Sequence, residues 1–319
     1  MLRFAFKRLL YVVPVALGVT VICFALVYCA PGDPASALIP DNTPPAMAAQ
    51  IRAEYGLDRP IPVQYLLWLS HVVVGDFGTS LSTQRSVVSE VVPAVLNTFK
   101  LACGAIALSC FFGILFGSLA AFRGGRPSDR AITAVGITGM SIPQYWLGMV
   151  LIVIFAVNFG ILPATGMGDP STATTGELLQ HLILPTLTLA VVPTGIITRS
   201  VRSTVLETLQ QEFVVALYAR GLPTRRVVLH VAKSAAPPLL AILGLQFGYI
   251  LGGSILVETV FTWPGTGYLL NNAIFMRDLP LIQGTVLVLA MFFVFINLVV
   301  DLLQMLLDPR LKRSRRQGD

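Results

Sequence analysis

The stretch Arg199 to Ala236 decides how the rest of the chain is read; its centre runs Glu212-Phe-Val-Val-Ala-Leu-Tyr-Ala-Arg-Gly-Leu-Pro-Thr-Arg-Arg226. It is polar and Arg-rich, and it lies between two apolar runs, Leu178 to Thr198 and Pro237 to Val257, each long enough to cross a bilayer. Residues 203 to 220 hold no Pro or Gly, while Val205, Leu209, Phe213, Ala216 and Tyr218 recur loosely at helical spacing. The pattern predicts a short amphipathic helix with Gly221 as its C-cap, then a turn. Such a helix lies on lipid headgroups or docks into a groove of a partner protein, and the local pattern leaves both open.

Composition places the stretch in a membrane protein. Of 319 residues, 55% are hydrophobic and 12% charged, against roughly a quarter charged in soluble domains. The net charge of +6 comes from short basic segments between apolar runs, a distribution that sets membrane orientation rather than nucleic-acid binding. Cys23, Cys29, Cys103 and Cys110 have no metal-ligand spacing and sit inside apolar runs, where they act as small apolar side chains.

Reading outward gives six spans: 9–30, 98–122, 132–159 with a kink, 178–198, 237–258 and 279–307. Leu9 to Ala30 has no charge and is longer than a signal-peptide core, with no small-x-small site after it; Tyr28 before Cys29 argues against a lipoprotein. Residues 31–97 form a long external loop, in which Ala30-Pro-Gly-Asp-Pro34 breaks the first helix. Pro44 and Pro45 start a helix that Gly56 ends, and Val63 to Val74, with Tyr65 and Trp68, lies at the interface. Gly139-Met-Ser-Ile-Pro143 predicts a kink or unwound turn, as do Pro14, Pro185 and Pro193 less strongly; such positions line a pathway or only pack.

The loops 123–131 and 199–236 and the termini 1–8 and 308–319 carry 17 of the 22 Lys and Arg residues, which places them in the cytoplasm; 160–177 and 259–278 are then external. No glycine-rich loop precedes any of the four lysines, so the chain has no P-loop ATPase site. His71, His181 and His230 share no metal spacing, and no serine, histidine or aspartate set marks a membrane protease. The middle of each span lacks a carboxylate, whereas Glu258 and Asp301 stand at run ends. A carrier driven by protons or ions keeps such groups at depth. The expectation is a transport subunit that is not an enzyme, holds no cofactor or metal, and borrows its energy from a partner.

A family likeness runs over nearly the whole length. It rests on Ala30-Pro-Gly-Asp-Pro34, Tyr55-Gly-Leu-Asp-Arg-Pro-Ile-Pro-Val-Gln-Tyr65, Gly75-Asp-Phe-Gly-Thr-Ser80, Ser141-Ile-Pro-Gln-Tyr-Trp-Leu-Gly148, Leu162-Pro-Ala-Thr-Gly166 and His181-Leu-Ile-Leu-Pro-Thr-Leu-Thr-Leu189. The most specific piece is Val257-Glu-Thr-Val-Phe-Thr-Trp-Pro-Gly-Thr-Gly267, followed by Arg277-Asp-Leu-Pro280, Asn297, Asp301 and Asp308-Pro-Arg310. With these the chain resembles the permease subunit of bacterial ABC importers of dipeptides, oligopeptides and nickel, specifically the subunit with the long first external loop.

The resemblance implies an all-α, type I importer permease with a cytoplasmic coupling helix between the fourth and fifth spans of the bacterial inner membrane. Implied partners are a second homologous permease, two cytoplasmic ATPase subunits that bind Mg-ATP, an external substrate-binding protein and membrane lipid, with no nucleic acid. The family's coupling motif, Glu-Ala-Ala with Gly three residues on, is met at Ala216 and Gly221, while Val215 and Leu217 stand where it has Glu and Ala; Val227 to Pro238 departs most. The implied coupling residues are Phe213, Ala216, Leu217, Tyr218, Arg220, Gly221, Arg225 and Arg226. Phe213, Leu217 and Tyr218 are expected as apolar anchors and the arginines as a polar rim that also meets anionic lipid.

Ser141, Pro143, Glu258, Trp263, Gly265 and Asp278 are expected at the pathway or external gate. Trp263 to Gly267 makes a tight turn that lines an acidic mouth or only caps a helix, and Gly75 to Ser80 is a docking surface or a lid. The expected solute is a short peptide, with nickel chelates, glutathione or another small solute as alternatives. A self-energised carrier or channel, and a membrane enzyme or receptor, are the alternative classes.

Overall fold

The computed structural model describes residues 2–29, 44–54, 58–168 and 174–307. The expected break at Ala30 to Pro34, the stop at Gly56 and the basic segment 308–319 lie outside the described residues. Regular structure among the described residues is helical apart from one isolated antiparallel bridge, Thr79 with Ser86. Two compact units result: Met1–Asn97 with Pro264–Phe295, and Thr98–Trp263 with Ile296–Asp319.

In the first unit, α1 (Leu2–Cys29) is joined by two short helices, α2 (Pro45–Glu54) and α3 (Ile61–Val73). Pro45, Pro60 and Pro62 start these helices because the first helical N–H groups need no carbonyl partner. Thr20 of α1 shares a 2.8 Å hydrogen bond with Tyr65 of α3, and the Phe24 ring packs on Tyr28, Tyr65 and Trp68. The start of α4 (Val87–Phe122), the helix α10 (Thr266–Phe275) and the start of α11 (Leu279–Leu307) bury Val87, Val91, Ala273 and Leu281 together.

The second unit is built on α7 (Thr175–Leu209). Thr174 caps it: its hydroxyl accepts from the Glu177 N–H at 3.3 Å, and the Glu177 carboxylate accepts from the Thr174 N–H at 2.9 Å. Its spanning window is 61% buried within the chain, against 22–39% for the other long apolar helices, so it is the central post. The later part of α4 packs on it through residues with no bulk. A Cβ on Gly113 would lie 2.6 Å from Ile197 Cγ2, one on Gly117 would lie 2.6 Å from the Thr198 carbonyl oxygen, and Ser109 donates to the Ala190 carbonyl at 3.0 Å. Small residues four apart let two backbones approach in a membrane, where dispersion contacts replace the hydrophobic effect.

Following α4, α5 (Pro127–Ser141) and α6 (Gln144–Leu151, continued as a π-helical segment Ile152–Asn158) meet at a 99° bend. The bend falls at Ile142-Pro143, both extended, as the Gly139 to Pro143 sequence predicts. Beyond α7 come α8 (Glu212–Ala219) and the long α9 (Thr224–Val260), which continues through Pro237 and Pro238. Among the described residues, four helices are long and apolar enough to cross a membrane, α4, α7, α9 and residues 279–300 of α11, and the bent α5–α6 pair counts as a fifth if it is one span.

The expected single helix over 203–220 is divided. Residues up to Leu209 belong to α7, which ends in tight turns from Gln210 N–H to Glu207 O and from Gln211 N–H to Thr208 O. Gln211 is then extended and α8 starts afresh. Inside that last turn, the Thr208 hydroxyl donates back to the Thr204 carbonyl at 2.7 Å, a local bond that competes with helix continuation.

Candidate functional site

The turn after α8 is closed by three backbone bonds. Arg220 N–H donates to Ala216 O at 3.1 Å, Gly221 N–H to Tyr218 O at 2.9 Å, and Leu222 N–H to Leu217 O at 3.3 Å. The last two are the pair that ends a helix with a left-handed residue, and Gly221 has φ +69°. The sequence-predicted C-cap role of Gly221 is therefore present. A Cβ there would meet nothing within 4 Å, so the requirement for glycine is one of backbone conformation, not space.

Val214 is 2% exposed and joins Ala121, Ile197, Val201, Val205, Val227, Val231 and Ala235 in one apolar cluster. Leu217 and Leu222 pack against the same cluster partly buried, which binds the short helix to α7 and α9. At 100° per residue, Val214 and Leu217 face inward, Glu212, Val215, Ala216 and Ala219 face outward, and Phe213 and Tyr218 flank the two edges. Exposure agrees: Val215 is 64%, Tyr218 51% and Phe213 37% exposed. Phe213 and Tyr218 are thus free to meet another protein, whereas Leu217, expected beside them as an outward anchor, packs on the chain's own core because it lies three residues from Val214 on the same face. Val215 is the exposed apolar residue that its position in the motif had hidden.

Arg220, Arg225 and Arg226 are exposed around the turn. Arg225 and Arg226 occupy the first turn of α9, where the helix dipole disfavours positive charge and no acidic residue stands. Their position is unfavourable within the chain and suits an anionic surface outside it.

The residues expected at a pathway or gate divide by unit. In the second unit, Ser141 and Pro143 are exposed at the 99° bend, and the Ser141 hydroxyl donates to Ile137 O at 3.0 Å. Glu258 and Trp263 are fully buried: Thr98 donates to the Glu258 carboxylate at 2.8 Å and the Trp263 N–H to Glu258 O at 2.8 Å. The left-handed position of that turn is Thr262, φ +50°, rather than a glycine.

In the first unit, Gly265 is extended and caps α10. Asp278 is fully buried and caps α11, accepting from Leu281 N–H at 3.2 Å, Ser80 Oγ at 2.6 Å, Ser82 N–H at 3.0 Å and Ser82 Oγ at 2.8 Å. Burial raises its pKa, but the hydrogen bonds from Ser80, Ser82 and Leu281 outweigh this and hold the carboxyl below its ordinary value. These bonds tie the Gly75 to Ser80 motif, turned by left-handed Gly75 and Gly78, to the start of α11. As placed here, Glu258 and Asp278 each hold a turn together and neither presents its carboxylate to solvent.

Residues 113–313 match the family described as the binding-protein-dependent transport system inner membrane component, and residues 1–102 match the N-terminal component of such membrane proteins. The chain belongs to this permease family. The permease is 38% identical over 313 residues to the glutathione transport system permease protein GsiC of Salmonella typhimurium, covering 98% of this chain and 99% of that one. It is 36% identical over 332 residues to the dipeptide transport system permease protein DppB of Alkalihalophilus pseudofirmus, covering 98% and 100%. The corresponding Escherichia coli protein is 35% identical over 339 residues, covering 99% and 100%. In fold the permease is similar to a chain of the inward-facing MetNI methionine ABC transporter, with TM-score 0.58 at 17% identity over 69% of this chain and 97% of that one. It is a multi-pass inner membrane transport subunit.

Two polar residues of the permease that sequence reasoning passed over, Asp129 and Arg202, form an ion pair, and Arg202 is next in the chain to Val201 of the cluster that holds Val214. Asp129 is 2% exposed and receives Arg202 Nε at 2.5 Å and Arg202 Nη2 at 2.8 Å. The signal was available: Asp129 is an acidic residue in a loop otherwise carrying Arg123, Arg126 and Arg130, and a lone carboxylate among arginines invites a pair.

Proposed function

We propose that the permease forms half of the translocation pathway of an ATP-driven importer of short peptides. It would cross the membrane six times, with α1 as the first crossing, α5–α6 as one broken crossing, and both termini in the cytoplasm. Its partners would be a second permease of the same family, two ATPase subunits that bind Mg-ATP, and an external substrate-binding protein. The relatives named for dipeptide transport support the peptide reading; the glutathione relative supports a second reading, in which the solute is that γ-linked tripeptide.

One observation carries the mechanism. The exposed edge of α8, with Phe213, Val215 and Tyr218 beside Arg220, Arg225 and Arg226, is an apolar patch with a basic rim on a helix otherwise welded to α7 and α9. Such a patch suits a groove with an acidic border on each ATPase subunit. ATP binding would close the ATPase pair and move one such helix in each permease, so that the membrane halves rock from inward-facing to outward-facing. Ser141 and Pro143, exposed at the bend, would stand on the pathway, while Glu258, Trp263, Gly265 and Asp278 would set the external gate by fixing its turns. No covalent chemistry falls to this chain.

The test replaces Gly221 with Trp in the full complex. The expected result is loss of both ATPase docking and ATP-driven uptake of dialanine into proteoliposomes; a complex that docks and transports normally would refute the coupling assignment. Competition between dialanine, glutathione and a nickel chelate in the same vesicles assigns the solute.

A further inference from the structure

We infer that the Asp129–Arg202 pair is the positioning link that carries displacement of α8 to the broken helix α5–α6, a deeper reading that rests on the proposed coupling role of α8. Arg202 stands on α7 between Val201 and Val205, both members of the apolar cluster that holds Val214 of α8. The same segment of α7 is therefore attached to the coupling helix through apolar contacts and to the first turn of α5 through the ion pair.

The two attachments differ in kind. Apolar contacts are non-directional and let helices slide, whereas two parallel N–H to oxygen bonds fix both distance and orientation. Asp129 has its remaining capacity filled by Gly125 N–H at 3.0 Å and the Thr133 hydroxyl at 3.4 Å. Gly125, φ +79°, takes a left-handed conformation that aims its N–H at the carboxylate. The loop leaving α4, the start of α5 and the end of α7 thus converge on one side chain.

From Asp129 to Ser141 is twelve residues of helix, about 18 Å at 1.5 Å per residue, and α5 ends there at the 99° bend. A small rotation imposed at Asp129 is delivered along that arm to the bend. The pair is suited to this because it resists shear at the end where the force arrives. Without it, α5 would still pack on α7 through Gly136 and Gly195, but its register would be free to slip.

The experiment uses the complete complex in proteoliposomes, with radiolabelled dialanine and radiolabelled glutathione as probes in separate arms. Asp129→Asn and Arg202→Lys keep size and lose the doubly bonded charge pair. Each is expected to retain subunit assembly and ATP hydrolysis while solute moved per ATP falls about tenfold, and the exchanged double variant Asp129→Arg with Arg202→Asp is expected to recover part of it. Unchanged solute per ATP in both single variants overturns the link. A wild-type complex that assembles but never couples hydrolysis to uptake of either probe overturns the proposed function and the link with it.

Should the variants fail to assemble, spin labels at Arg126→Cys and Ala219→Cys, both exposed positions, decide the matter with the ion pair intact. Their separation is expected to stay constant within about 2 Å between nucleotide-free and ATP-bound complexes, since a rigid link moves both ends together. A change of 5 Å or more overturns the proposal.

Discussion

Two turns of this permease are held in opposite ways. The turn after α8 hangs on an apolar cluster around Val214 and on the backbone freedom of Gly221. The turn before α11 hangs on one buried carboxylate, Asp278, which gathers two serine hydroxyls and two backbone N–H groups. The first is spread over many weak apolar contacts and is held by no buried charge, so it tolerates being pushed. The second concentrates its hold in a single charged atom pair, so it is rigid until that charge is lost. A segment that is pushed from outside suits the first design, and a segment that must keep its shape or pass a displacement on suits the second.

The largest expected effect breaks the apolar turn. Val214→Asp buries an unpaired charge and should cost more than about 3 kcal/mol, read as loss of thermal stability of the purified permease complex. Asp278→Ala is next, because it strips the charged hydrogen bonds from Ser80, Ser82 and Leu281, together a net loss of about 1.5–3 kcal/mol. Its signature is protease cleavage between residues 75 and 86 with the α8 turn still protected. Gly221→Ala should cost about 1–2 kcal/mol for a left-handed Cβ, and Gly221→Asn less, seen as a graded loss of ATPase co-purification.

Acid sharpens the same contrast. A carboxylate whose folded pKa is depressed contributes stability that is complete above the unfolded value near 3.9, and that contribution is lost as pH falls through the folded value. The Asp278 turn should therefore open to protease only well into the acid range, and Asp278→Asn should remove that pH dependence. Hydrogen exchange across 212–222 should show no matching transition tied to Asp278. The smallest effect on stability is Val215→Ser, within about 0.5 kcal/mol, although it should weaken ATPase docking measurably.

Much of this was legible in the sequence. The membrane class, the break at Gly139 to Pro143 and the closure at Gly221 follow from local chemistry: charge-free runs, an extended residue before proline, a glycine where φ is positive. The division at Gln210-Gln211 was not legible, because neither residue breaks a helix and the stop comes from tightened last-turn bonds. Nor was the passage of α9 through Pro237 and Pro238, where preceding turns anchored by Val227, Val231 and Ala235 keep the helix going. Glu258 and Asp278 read as water-reaching acids because they end apolar runs, yet their burial depends on Thr98, Ser80 and Ser82, far away in sequence. The inward position of Leu217 was missed for a smaller reason: the predicted apolar pattern passed over Val214, whose face Leu217 shares.

The missing side chain at Gly195 has a mechanical consequence. Where its Cβ would stand, Met140 Cγ lies 2.6 Å away and Sδ 3.3 Å away, so the thioether occupies a socket in α7 one turn before the bend. The Gly136 carbonyl oxygen stands 2.6 Å from the same point, so a backbone contact like that at Gly117 is shared here with the most pliable apolar side chain. The end of α5 therefore sits on α7 through one rigid contact and one pliable one: the Gly136 carbonyl sets how close the two backbones stand, and Met140 fills the space left beside the bend.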